Sequence, residues 1–351
     1  MPLPLYLDLR APSAPMHATM HMGLWFERYF DGYAFDFSDV DKDRRSNWLR
    51  GFRTAQLGDK SALNAKAENM RLLATGQGGQ VRTYHCEGNF VTGLGNPHPL
   101  ENGFLWHPTL GTPYLPGSAV KGLVRALVET AYHGADKPAV LKRWFGTESK
   151  GDVAEASGCF IFFDALPVDC CELLPEVMTP HMGKWYEKGG KTPLAADTQP
   201  GDWHSPVPVG YLVARKLSLQ FAIAPRAGAI AADQLANELA NVWNALDKAL
   251  AWLGAGAKTA IGFGRMESEE VKQLKRDAIA EQWEGARIKF NRANGSLTVE
   301  KSGRPAVAVG GKAKELLDSL PRDVQQKILS GQFVKLTAFV VGKDLVRVTH
   351  P

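Results

Sequence analysis

The chain has 351 residues, 44% of them hydrophobic and 22% charged, with a formal net charge of +4. That is ordinary for a globular protein of one large domain plus an appendage, or of two to three domains. No apolar run approaches the ~20 residues that span a membrane, and the opening Met1-Pro2-Leu3-Pro4-Leu5-Tyr6, followed by acidic Asp8, is not a signal peptide, so a cytoplasmic protein without membrane contact is expected.

Cys86, Cys159, Cys170 and Cys171 form no C-x-x-C, which argues for free thiols and against a zinc site or a disulfide frame. The charge is uneven. Residues 281–351 carry twelve Lys/Arg against seven Asp/Glu, a balance of +5, which leaves the rest at −1. A small basic segment on a neutral body suggests a local contact with a polyanion.

Residues 1–79 read as a helical, aromatic N-terminal region. Met22 to Phe30 is aromatic-rich, and Arg44, Arg45, Trp48, Arg50, Phe52 and Arg53 interleave base with ring. Such interleaving can stack bases, but rings are more often buried for packing, and an amphipathic helix docked on the main body is the expectation. Gly76-Gln77-Gly78-Gly79 then reads as a linker.

From residue 80 a regular order follows. Val81 to Val91 reads as a strand, and Ser118 to Tyr132 as a helix with Val120, Leu123, Val124, Leu127 and Val128 on one face and Ser118 as its N-cap. Cys159 to Phe163 reads as a buried strand, and Leu217, Leu219, Phe221 and Ile223 alternate as another. The Leu235–Leu253 pattern gives the longest helix, capped by Asp233 and stopped by Gly254, before a short strand at Phe263 to Met266. The order β-α-β-β-α-β is that of a ferredoxin-like unit spanning 80–280, with insertions at 93–117 and 175–209. The second insertion is rich in proline and glycine and long for a structureless loop. In residues 281–351, hairpins across Asn294-Gly295 and Gly342-Lys343-Asp344 flank a helix broken at Pro321. Short strands, a helix and basic charge suggest a small β-rich, OB-like domain. The fold class is therefore α+β.

Two motifs carry chemistry. The first is Leu253 to Met266, where Gly254, Gly256, Gly262 and Gly264 surround Lys258-Thr259 and precede Arg265. Glycines let such a loop turn sharply and approach a ligand, and the cations suit a polyanion backbone. An NTPase P-loop is excluded, because Ala257 and Trp252 stand where its glycines belong and the loop runs from helix to strand. The second is Ser118-Ala119-Val120-Lys121, which opens a helix whose N-terminus favours an anion and which places Lys121 and Arg125 on one face. Ser-x-x-Lys also belongs to penicilloyl-type serine hydrolases, but the middle motif of those enzymes is missing and the third is incomplete. His17 and His21 do not make a metal site, and no metal or other cofactor is expected. His107, beside Trp106, could act as a general acid in RNA cleavage, although no second catalytic group is placed near it.

Gly-x-Pro-Tyr-x-Pro-Gly-Ser-x-x-Lys-Gly-x-x-Arg at 111–125, with the glycine-rich loop after the last helix, resembles the RAMP superfamily of CRISPR RNA-binding proteins. Gly93 to Gly103 ahead of His107, Thr179-Pro180-His181-Met182 and Pro206-Val207-Pro208 are similar to the branch that supplies the sixth subunit of type III-B (Cmr) effector complexes. The resemblance covers most of residues 20–268. It implies a ferredoxin-like fold related to the RNA recognition motif and a non-catalytic subunit near the 3′ end of the guide RNA. Its partners would be guide and target RNA, the backbone nuclease subunit, the 3′-end capping subunit and the small helical subunit. Carried over, the family's two RNA-lining motifs point to Ser118, Lys121, Arg125, Lys258, Thr259 and Arg265, with the loop glycines and His107 beside them. A RAMP endoribonuclease using His107 is the alternative. The basic extension 281–351 departs from the family pattern.

Overall fold

A computed structural model describes residues 20–34, 39–147, 156–188, 191, 198–201 and 203–350. They form two compact units, one ending at Ser268 and the other beginning at Glu269. The N-terminal aromatics belong to the first unit's own core. Helices α1 (Met22–Arg28) and α2 (Lys42–Gly51) bury Phe26 and Leu49, with Phe52 just beyond α2. Phe26 stacks on His98 at 4.0 Å between centroids, and Trp25 stacks on Trp48 at 6.0 Å. These rings pack against the body, so residue 79 does not divide two compact units.

A short strand β1 (Thr54–Leu57) leads to α3 (Lys60–Gly76), a helix the sequence patterns did not reveal. Its buried face is mostly small, Leu63, Ala67 and Ala74, which leaves a weak apolar signal. Asp59 caps it, accepting from the Ser61 and Ala62 amides. The Gly76–Gly79 stretch is the end of this helix and its exit turn, with the Gly79 N–H donating to the Ala74 carbonyl. It is not an interdomain linker.

Strand β2 (Gln80–Cys86) starts immediately afterwards. The first insertion runs from β2 to α4 (Gly117–Ala131) as coil, but it buries Phe90, Leu100, Phe104 and Trp106. Helix α5 (Lys137–Phe145) and a two-residue pair, β3 (Gly146–Thr147) with β4 (Ala156–Ser157), precede β5 (Phe160–Phe162) and β6 (Leu166–Pro167). Next come β7 (Cys171–Met178), α6 (Gly183–Lys188), β8 (Val209–Arg215), β9 (Ser218–Pro225), α7 (Ala232–Trp252) and β10 (Met266–Ser268).

The main sheet is antiparallel in the order β10-β2-β9-β5, with β6 also on β9. The two strands latest and earliest in this part of the chain, β10 and β2, are neighbours, and α4 and α7 cross between strands. β9 is buried over six consecutive residues, more than the alternation of Leu217, Leu219, Phe221 and Ile223 implied. Both its faces are therefore covered. Helix α3 packs along β9 and β2, and the packed pair α4–α7 forms the other layer. That layer is fastened by polar contacts from β2. The Tyr84 hydroxyl and Arg82 both reach Asp247 of α7, and the Arg82 guanidinium lies 4.7 Å from the centre of the buried Trp243 ring.

A second sheet joins β1, β7 and β8, bringing together segments more than a hundred residues apart. The second insertion is accordingly narrower than 175–209, because its two ends are the paired strands β7 and β8, and 179–208 connects them.

The second unit begins with α8 (Glu269–Ile279), twelve residues before the expected start at 281. β11 (Glu281–Asn291), β12 (Ser296–Lys301), β13 (Arg304–Ala308), α9 (Gly310–Asp318), α10 (Arg322–Leu329), β14 (Val334–Val341) and β15 (Asp344–Thr349) follow. Pro321 separates the two helices, and both expected hairpins form. The strands close a five-stranded barrel, β11-β12-β13-β15-β14. Closure needs β13 and β15 to run parallel and β14 to return to β11, pairings that remove free sheet edges. Its core is separate from that of the first unit.

Candidate nucleic-acid interface

The glycine-rich loop leaves α7 at Leu253 and enters β10 at Met266. It folds onto the segment after β2. The Gly264 N–H donates to the Asn89 carbonyl at 2.8 Å, the Ala257 N–H to the Val91 carbonyl at 2.7 Å, and the Ala255 N–H to the Gly264 carbonyl at 2.8 Å. Gly256 and Gly264 have φ of +87° and +70°, and a Cβ on either would strike a carbonyl oxygen, of Val91 or of Ala255. Here glycine is required by close backbone packing. The N–H groups of Gly254, Gly262 and Gly264 are all spent inside the protein, on Ala249, Thr259 and Asn89. The expectation that the glycine amides cradle an anion is corrected to that extent.

Between the glycines, Lys258 has φ +58°, a left-handed conformation uncommon for a residue with Cβ. It starts the short 3-10 turn Thr259–Ile261. Its ammonium lies 4.9 Å from the Tyr211 ring centre. Thr259 is half-buried and Arg265 is exposed. On the neighbouring strand β8, Arg215 donates to the Asn89 side chain, whose own carbonyl holds Gly264. Tyr211, Arg215 and Asn89 were not among the sequence candidates. They lie tens of residues to well over a hundred before the loop in the chain, and no local pattern marks them.

At the other motif, α4 starts at Gly117, with Pro116 as N-cap and no side-chain cap. Ser118 is therefore inside the first turn and exposed, not the cap. The capping function comes from Asp164, which follows β5 and accepts from the Gly117 N–H at 2.7 Å. The helix N-terminus expected to attract an anion already holds this carboxylate. Asp233 is likewise not the cap of α7 but lies in its first turn, where its charge still complements the helix dipole.

The two motifs meet. Ala119 and Leu123 of α4, Gly254 to Ala257 of the loop, and the 92–95 segment line one groove of about 450 Å³. Its walls are small and apolar. Lys121, two residues from Ala119, points to the other flank of the helix, and Arg125 on that flank is tied to Glu129 at 2.8 Å. Neither lines the groove.

His107 is buried, with 6% of its surface exposed. Its Nδ1 accepts from the Thr109 and Leu110 amides at 3.3 and 3.2 Å. Burial first, then the Lys66 charge, holds its pKa below the ordinary 6.5. A neutral ring with Nδ1 already used as an acceptor fastens its own turn, and it is poorly placed to act as a general acid or to meet RNA. His98 is similarly lowered by burial, while it bonds the Phe26 carbonyl at 3.0 Å. Both rings are neutral when folded and take up protons more readily when unfolded. Stability is therefore full above about pH 6.5 and declines as pH falls below it, down to the folded values. The urea midpoint is expected to be lower at pH 5 than at pH 7.5, and His98→Gln should flatten that difference; an equal midpoint at both values contradicts this.

His17 lies outside the described residues. His21 caps α1, accepting from the Leu24 amide at 2.9 Å, and also bonds the Pro108 carbonyl. Among the described residues no group of three or more His, Cys, Asp or Glu could hold a metal ion. Burial pushes the Cys171 thiol up to about 12 and Cys159 up to about 11, so neither is a ready nucleophile. No helix among the described residues is long and apolar enough to cross a membrane.

The sheet is backed by α4 and α7, and the glycine-rich loop connects α7 to β10. Residues 83–267 match the model of the RAMP superfamily, and the chain belongs to that superfamily. Among particular relatives, it is 26% identical over 236 residues to the CRISPR system Cmr subunit Cmr6 of Pyrococcus furiosus, a match covering 52% of this chain. The chain spans 66% of that relative's length. Two solved structures are similar to it. One is a type III-B Cmr-beta complex bound to cognate target RNA, seen by cryo-electron microscopy, with 18% identity, TM-score 0.48, and coverage of 66% of this chain and 74% of the other. The second is the crystal structure of Cmr6 from Pyrococcus furiosus, with 22% identity, TM-score 0.30, and coverage of 54% and 97%.

Proposed function

We propose that the chain is a guide-RNA-binding subunit of a type III-B CRISPR effector complex and that it holds RNA without cutting it. The observation that carries this reading is the groove. Two motifs far apart in the chain meet there, Lys258 follows the lining residue Ala257, and Arg215 bonds Asn89, whose carbonyl holds the loop at Gly264. Membership of the RAMP superfamily and the likeness to Cmr6 support it. Small, apolar walls suit a ribose or base face, and the flanking cations suit phosphate. Contacts of that kind position a strand without reading its sequence, as a subunit serving many guides requires.

In this reading the first unit is a ferredoxin-like core and the barrel an OB-like domain. Ser118, Lys258 and Thr259, close to lining residues in the chain, stand with Arg265 and Arg215 on the RNA side without lining the groove themselves, and Lys121 and Arg125 lie farther round the helix. The partners are guide RNA, target RNA and the neighbouring Cmr subunits: the backbone nuclease subunit, the 3′-end capping subunit and the small helical subunit. The complex works in the cytoplasm without a cofactor. The connection between β7 and β8 acts as a thumb; Tyr186 and Trp203, 77% and 65% exposed, offer rings to a duplex or a neighbour.

Filter binding of a guide-length RNA tests the reading. A complex whose log affinity falls linearly with log salt is expected, with the RNA recovered intact. Failure to bind, or cleavage that His107→Ala abolishes, contradicts it; the latter would favour an endoribonuclease.

A further inference from the structure

The barrel unit carries a surface that the groove reading does not use. In the β11–β14 ladder, Arg287 stands directly opposite Lys335. Two like charges facing each other across a ladder destabilise a sheet. The ion pairs of the barrel use Arg304 with Glu281 and Lys312 with Glu315, leaving Arg287, Lys289 and Lys335 without a carboxylate partner among the described residues. Strand residues two apart share a face. Lys289 therefore joins Arg287, and Phe333, immediately before β14, joins Lys335. Ala286, Ile288 and Leu336 between them are buried in the barrel core, which fixes that face as the outer one. Phe333 is 71% exposed. Ile288 pairs with Val334 at the end of the ladder, and one further step of the same register would set Phe333 beside Lys289. Glu300, opposite Arg287 on β12, is the carboxylate bordering the row.

We infer that this outer β11–β14 face is a second nucleic-acid site, which takes single-stranded RNA. Three unpaired cations suit successive phosphates, and an exposed ring between them gives one base a stacking surface. An acidic protein surface would match the charges but leave the solvated ring without a purpose. A duplex would hide the bases from it. The choice of RNA over DNA rests on the guide-binding reading of the first unit; the site itself does not.

The test uses the full chain and a labelled single-stranded oligouridine of about twelve nucleotides. Arg287→Gln with Lys289→Gln and Lys335→Gln should weaken binding about tenfold and flatten the salt slope by about 2. Phe333→Ala should weaken it about tenfold with the slope unchanged, and Phe333→Trp should restore it. All four positions face solvent and the Arg287–Lys335 repulsion is relieved, so melting temperatures should stay at or slightly above the wild-type value, which separates lost contacts from lost folding. An unchanged slope in the triple variant, or full affinity in Phe333→Ala, overturns the site. Competition by duplex RNA, polyglutamate or single-stranded DNA more strongly than by single-stranded RNA overturns the assigned occupant. If the barrel variants bind normally while Lys258→Gly does not, this inference fails alone. If Lys258→Gly binds normally while the barrel variants do not, the groove reading fails alone.

Discussion

Gly264→Ala is expected to destabilise the first unit by about 3 kcal/mol or more, measured by urea unfolding. Two effects add. A left-handed residue with a Cβ costs about 1–2 kcal/mol, and here φ is +70°. The added methyl would also collide with the Ala255 carbonyl. Relaxation is blocked because the contact is locked from both sides. The Gly264 carbonyl accepts from Ala255, and the Gly264 N–H is held by Asn89. Gly262→Ala supplies the comparison. Its φ is +91°, but nothing lies within 4 Å of the site where its Cβ would be. Only the backbone term should appear there, about 1–2 kcal/mol. Equal costs at the two positions would show that the backbone term alone decides. Since the loop forms one wall of the groove, Gly264→Ala should also impair RNA binding beyond what its stability loss explains.

Lys258→Gly combined with Arg215→Gln is expected to lower guide-RNA affinity about tenfold or more and to flatten the salt slope by about 1.4, the effect of two phosphate contacts on a single strand. Glycine is the informative replacement at 258. It adopts φ near +58° without strain, so the fold should be unharmed or slightly firmer while the charge is lost. Affinity and stability then move in opposite directions, a pattern that a purely structural lysine would not give. Arg125→Gln is the control. Its guanidinium already pairs with Glu129 away from the groove, and its slope should match the wild type. An unchanged slope in the double variant, or a loss in Arg125→Gln equal to it, would move the RNA site elsewhere.

Much of the scaffold was legible. The apolar faces of α4 and α7, the strands β2, β5 and β9, the hairpin turns at Asn294-Gly295 and Gly342-Lys343, and the Pro321 break all rest on neighbours within a few residues. Helix α3 escaped because its buried face is largely alanine. Strands β7 and β8 escaped because their pairing spans a long insertion, and β1 because its partner lies more than a hundred residues downstream. The candidate site was half legible. The glycine loop and the start of α4 do line one groove, but His107, Lys121 and Arg125, which the family resemblance carried over, do not line it. His107 is buried, Lys121 lies on another flank of the helix, and Arg125 is paired with Glu129.

By itself, the sequence determined where the chain turns and which stripe of each helix is apolar, because 3.6-residue periodicity, turn chemistry and glycine conformation are local properties. It also determined the RAMP membership, through two ordered motifs. Only the tertiary structure decided that Asp164 caps α4, that Arg215 bonds the Asn89 that holds the glycine loop, and that Lys335 faces Arg287 on the adjacent strand of a closed barrel. Those facts depend on strand register and on residues brought together from distant parts of the chain. Charge acts through space, and its effect is set by whichever partner the fold delivers.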